Sequence, residues 1–327
     1  MRLSFVSFVP LILGLFGSSS SGQTLNGPVQ GYLFDAPTGS FRVVRGFPGA
    51  ASLGPALAKG FNYGSVAPLK NYAIAFEKNQ VKFVAGFGTA HVTVSSLAAV
   101  FPKAEAVTWS GDGSTAVIYS RTGNWMQLVT GFPATPAVIE SVEVSSMDAS
   151  LSTVALDGHG TQVALGAKGG RAGVYVSTNR RGFVLTVKTS HPSALSFSDD
   201  ASELYVLDES NSDLSAVNMK TLSVQTEPLT GLSDPFALKF GRDAFGRAVV
   251  YVASRKNRLF RTYDTANHRL LGDIALSFVP ACIDELGAKS FLLNARTKPG
   301  DPLWLFSSSP PPAVYFVPAP PAGGNGQ

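Results

Sequence analysis

Residues Ser110–Pro133 read SGDGSTAVIYSRTGNWMQLVTGFP: a tight polar turn, a strand, a charged loop and a second strand. Gly, Asp and Ser suit the positive-φ and side-chain-bonded positions of a tight hairpin. AVIY and WMQLV suit a pleated, half-buried surface. The same unit recurs along the chain. Strands that follow a polar turn begin at Ala73 (AIAF), Ala116 (AVIY), Val163 (VALG), Leu204 (LYVL), Val250 (VYVA) and Phe291 (FLLN), at intervals of 43, 47, 41, 46 and 41 residues. That is a repeat with a period of about 44. An apolar run precedes each turn (SVAP, VTWS, VALD, LSFS, LKFG, CIDE), and two further strand-like runs follow, such as GVYV at Gly173 and FVLTV at Phe183.

Four short antiparallel strands in forty-odd residues is the blade of a β-propeller, in which each sheet is covered on both faces by its neighbours. Six such blades fit between Phe61 and Pro318. Upstream of them lies a hairpin, Gly31 to Gly46, with YLFD, a turn at Pro37–Gly39 and then FRVV. Its VVRGFPGA at Val43 returns as LVTGFPAT at Leu128, the two GFP triplets standing 85 residues apart, about two blade lengths. The hairpin therefore reads as part of a further blade. The sequence predicts an all-β protein over 23–318, a propeller of seven blades with one composite or incomplete. The AVYFVPA strand from Ala313 is expected to pair beside the N-terminal hairpin and remove an open edge. Six blades with a capping hairpin is the alternative.

The S-x-D-G turn followed by a strand and a D-x-x-T-g hairpin is carried by SGDG at Ser110, SDDA at Ser198, YDTANHRLLG at Tyr263 and FDAPTGSFRVV at Phe34. In this the chain resembles the YVTN and lactonase-like β-propeller repeats, although no blade holds a full YVTN signature and the WD dipeptide of WD40 blades is absent. The resemblance implies a propeller and, among the family's roles, lactone hydrolysis, redox partnership and above all binding. It carries no catalytic residue onto this chain.

The ends read differently from the middle. Arg2, an apolar run over Leu3–Phe16, and GSSSSG with small residues at Ser20 and Gly22 read as a secretory signal peptide, 1–22, cleaved before Gln23. Its apolar core is short for a lasting bilayer anchor, so no membrane span is expected after cleavage; an uncleaved anchor is the alternative. The expected destination is extracytoplasmic, periplasmic or secreted. Residues 319–327, APPAGGNGQ, offer nothing to bury and read as a flexible tail. Charged residues make up only 15% of the chain, against roughly a quarter in ordinary soluble proteins. The formal charge of +4 does not call for nucleic acid. Cys282 stands alone, so no internal disulfide can form, and it reads as a small buried hydrophobe.

Candidate chemistry is sparse. Asp112, Asp157 and Asp199 sit where hairpins want Asp, and none of their turns has the spaced oxygen ligands of a calcium loop. His91, His159, His191 and His268 form no metal-ligand pair, and no G-x-S-x-G elbow or P-loop occurs, so neither metal nor cofactor is expected. What recurs is charge in the loop between second and third strands: Glu77 and Lys78; Arg121; Lys168 and Arg171; Asp208, Glu209 and Asp213; Arg255, Lys256 and Arg258; Arg296, Lys298 and Asp301. In a propeller these loops gather on one face, where cations would outnumber anions and attract an anionic protein or glycan. Exposed loops are polar in any protein, which is the plainer account. The candidate binding residues are Arg121, Trp125, Arg171, Arg255, Arg258 and Arg296, with Trp125 read either as an exposed anchor beside Arg121 or as packing. The expected function is a monomeric binding or scaffold module without catalysis. The alternative is a hydrolase or lyase acting on a small sugar or lactone at the axial channel, whose mark would be His, Glu or Asp side chains within hydrogen-bonding reach of one another there.

Overall fold

Polar turns and apolar strands alternate as the spacing predicts, and the strands assemble into seven antiparallel sheets, six of four strands and one of three. The structure is a computed structural model that describes residues 27–319; the expected signal peptide and all of the expected tail but Ala319 lie outside the described residues. Blade 1 comprises Val29–Asp35, Ser40–Arg45 and Ser52–Lys59. Blades 2 to 7 begin with the inner strands Tyr63–Val66, Ala106–Trp109, Ser150–Leu156, Pro192–Phe197, Pro235–Arg242 and Asp284–Gly287.

Burial follows position within the blade. Second strands are covered on both faces, as in Tyr72–Glu77 and Ala248–Ser254, whereas outer strands such as Thr93–Ser96 and Val224–Pro228 are largely exposed. The apolar core is a set of layers between blades. Val117, Met126 and Leu128 of blade 3, for example, pack on Leu151, Val163 and Leu165 of blade 4. Inner strands are also stitched by hydroxyls one repeat apart: Trp109 Nε1 donates to Ser65 Oγ (3.1 Å), the Val107 N–H to Tyr63 Oη (3.3 Å), and the Phe240 N–H to Ser196 Oγ (2.9 Å). The period read in the sequence is thus the distance in chain between groups that touch.

Among the described residues blade 1 is the incomplete one, and the member it lacks is the inner strand. The GFP triplets follow Ser40–Arg45 in blade 1 and Trp125–Thr130 in blade 3, so Ser40–Arg45 is a third strand and Val29–Asp35 a second. Direction agrees. Val29–Tyr32 lies with the hairpin ends Val66–Asn71 and Glu285–Ala288, so Val29–Asp35 runs opposite to the inner strands of blades 2 and 7. Among the described residues its inward edge carries no strand.

The expected closure by the C-terminal strand is corrected here. Ala313–Val317 pairs with Leu303–Ser307 inside blade 7, and the N-terminal hairpin pairs with Ser52–Lys59. Side chains close the ring instead. Asp35 Oδ1 meets Arg296 Nη1 at 2.8 Å, both side chains almost wholly buried, while Asp35 Oδ2 meets Arg42 Nε at 2.8 Å. Leu33, Val44 and Leu53 pack on Leu286, Leu303 and Leu305 beside this pair.

Candidate functional site

Four of the six loops that carry the recurring charges, those at Arg121, Lys168, Glu209 and Arg255, meet crossovers between blades around a mouth over the axis of ≈ 750 Å³. Four consecutive blades each contribute a basic side chain to its wall: Arg121 from blade 3, Lys168 from blade 4, His191 before blade 5 and Arg255 from blade 6. Glu209 and Asp284 are the acids of the same wall.

Two of these cations, Arg121 and Arg255, are held by residues at the start of their own blades. The Glu105 carboxylate accepts from Ser120 Oγ (2.9 Å), the Arg121 N–H (3.1 Å) and the Thr122 N–H (3.0 Å), which fixes the turn and places Arg121 Nε 3.8 Å away. Burial would raise the Glu105 pKa, but these hydrogen bonds outweigh it and hold it below the usual range. The Arg121 side chain stays 57% exposed, so its charge is presented to solvent. Arg255 lies over the Phe236 ring, 3.8 Å from the centroid, and 4.0 Å from Asp234. Stacking pre-orders that guanidinium while leaving its N–H fork open to a ligand.

At the floor, Asp284 stands with Cys282 and Tyr119. Its side chain is reached by water yet walled by inner strands, and that burial raises its pKa, with the Cys282 thiol and the Lys239 ammonium pulling the other way. The Cys282 thiol is pushed well up by burial and by Asp284, and Sγ donates to the Leu292 carbonyl at 3.4 Å, so this thiol is a poor nucleophile. Cys282, Ile283 and Asp284 also border a second cavity of ≈ 370 Å³ within the channel, beside blade 1. Among the described residues no cluster of three or more His, Cys, Asp or Glu is placed to hold a metal ion.

Of the six residues singled out in the sequence, Arg121 and Arg255 line the mouth together. Arg171 and Arg258 are exposed on the same loops as Lys168 and Arg255 without lining it. Trp125 is 7% exposed and packs edge-on to Phe101, ring centroids 5.5 Å apart, in the layer between blades 2 and 3. Arg296 is engaged at the seam with Asp35 and the carbonyls of Asp301 and Pro299. The sequence reading left His191 and Asp284 out of the site. Crossovers share a face with the loops between second and third strands, so the position just before each inner strand is the signal that finds them.

No family model matches this chain, and no curated protein matches it. Solved structures do. The dihydro-heme d1 dehydrogenase NirN, in complex with DHE, superposes with a TM-score of 0.59 at 11% identity, covering 89% of this chain and 64% of that one. This chain therefore spans less than two thirds of that protein. Hsv2 of Kluyvelomyces marxianus gives 0.58 at 10% identity over 86% of this chain and 92% of its own. The β-propeller domain of Cps50 (Swd1) of Myceliophteria thermophila gives 0.59 at 11% identity over 80% and 87%. The chain has the β-propeller fold. At such identities the likeness reaches the fold alone. No helix among the described residues is long and apolar enough to cross a membrane.

Proposed function

We propose that this propeller is an exported binding module that engages an anionic protein or glycan through the mouth on its loop face. The observation that carries the reading is the arc of Arg121, Lys168, His191 and Arg255 around one cavity of ≈ 750 Å³. Low-dielectric walls focus the field of such an arc, and Arg forks suit carboxylate or sulfate groups. Export rests on the apolar leader, and the repeat likeness to YVTN and lactonase-like propellers supports a role of the binding kind. The competing reading, a hydrolase or lyase for a small sugar or lactone, would draw on the Asp284 carboxyl and Lys239 of the channel.

Surface plasmon resonance of the mature chain over immobilised polygalacturonate and over neutral dextran tests the first reading. Polygalacturonate should retain the wild type, with retention falling as salt rises. The triple substitution Arg121→Ala, Lys168→Ala, Arg255→Ala should weaken retention at least tenfold. Equal retention on the two matrices, or by the two proteins, overturns it.

A further inference from the structure

We propose that the axial cavity beside blade 1 is a binding site for a small amine-bearing cation, separate from the anionic partner of the mouth. Blade 1 has no inner strand among the described residues, so Val29–Asp35 borders the channel directly, and a cavity of ≈ 370 Å³ opens there with walls from blades 1, 2, 3, 6 and 7. That volume suits a compact organic ligand.

Its walls have the chemistry of cation recognition. Tyr32 and Phe34 come from blade 1, Tyr63 from blade 2 and Trp109 from blade 3, all partly open to the cavity. Their rings are held in place by neighbours: Tyr32 against Phe87 (5.3 Å between centroids), Phe34 against Phe41 (5.4 Å), Tyr63 stacked on Phe76 (4.7 Å), Trp109 against Phe132 (4.9 Å). Ordered aromatic faces attract an ammonium through the ring quadrupole at little further entropic cost. Blade 7 adds Asp284 and Glu285 to the same cavity. Neither takes part in any ion pair among the described residues.

Two cations also border the space. Arg296 is neutralised at 2.8 Å by the buried Asp35 and turns its charge into the seam. Lys239 remains, one ammonium against two carboxylates, so the cavity keeps a net negative charge. An anion would meet that charge and the negative faces of the rings. A cation finds both in its favour.

Tetramethylammonium is a suitable probe, with tert-butanol as a neutral molecule of similar size. Titration of the full propeller by calorimetry and by ligand-observed saturation-transfer NMR should show saturable binding of tetramethylammonium and none of tert-butanol. Glu285→Gln and Asp284→Asn should each weaken binding at least fivefold, and Tyr32→Leu should do the same without touching a charge. Arg121→Ala should leave it unchanged, which separates this site from the mouth. Absence of saturable binding to the wild type, equal binding of tert-butanol, or full affinity in the carboxamide double variant overturns the proposal.

Discussion

At the scale of single residues, the polar turns hold the hairpins by a repeated side-chain bond. Asp112 Oδ1 accepts from Ser110 Oγ (2.7 Å), the Ser114 N–H (2.9 Å) and Ser114 Oγ (2.8 Å). Asp200 does the same between Ser198 and Ser202. The sequence reading named Asp199 as the turn residue of this hairpin; in the fold its neighbour Asp200 takes that place, and Asp199 reaches Arg242 of the next blade at 2.9 Å instead. Burial alone would raise the Asp112 pKa, yet the hydrogen bonds from Ser110, Ser114 and His159 bring it down to about 2. A folded value below the unfolded one means the unfolded chain binds the proton more readily. The stabilisation is therefore present above the ordinary aspartate range and is lost as the pH falls from about 4 to about 2. Thermal melts across that window should show a shallower acid loss in Asp112→Asn than in the wild type. Parallel profiles for the two proteins would refute the assignment.

At the scale of the element, the informative strand is Val29–Asp35. Its repeat position was readable, since the GFP triplets at Gly46 and Gly131 place the hairpin in register with the second and third strands of blade 3. Its surroundings were not, because periodicity places a strand within a sheet and is silent on a neighbour that is missing. No inner strand lies inward of it among the described residues, and the inner strand of blade 7 lies close against it. A Cβ at Gly31 would lie 1.9 Å from the Leu286 carbonyl oxygen, and one at Gly287 would lie 2.6 Å from the Gln30 carbonyl oxygen. Backbone cannot yield as a flexible side chain does, so Gly31→Ala must push the two blades apart. The expected cost is about 1–3 kcal/mol, the range of overpacked cores, read as a lower urea midpoint with unchanged slope. Gly272→Ala is the control, because a Cβ there meets no atom within 4 Å. If the two substitutions behaved alike, the close approach would have no energetic weight.

At the scale of the whole molecule, the ring is closed by packing and charge between its first and last blades, with no strand shared across the seam among the described residues. This is also where sequence reading reached its limit for the site. Arg121 and Arg255 were legible because loop position alone presents them. Arg296 has the same loop position, but its fate depends on Asp35, 261 residues away in the chain, and no local pattern reports that. Trp125 was ambiguous for a related reason: a residue at the start of an apolar strand can face a loop or a blade, and here it faces blade 2. The seam itself makes a sharp prediction. Arg296→Met leaves Asp35 buried with only the Arg42 ion pair and the Thr38 hydroxyl at 2.6 Å. Removing one partner of a buried pair costs about 3–5 kcal/mol, whereas replacing both with apolar groups recovers much of it. Arg296→Met should therefore lower stability by that order, and adding Asp35→Leu should restore part of it. Hydrogen exchange should locate the damage, with faster exchange in Val29–Asp35 and Asp284–Leu292 while Gln162–Lys168, in blade 4 and away from the seam, keeps its protection. Loss of protection spread evenly over all blades would mean that the ring opens as one unit and that the seam is no weaker than any other blade interface.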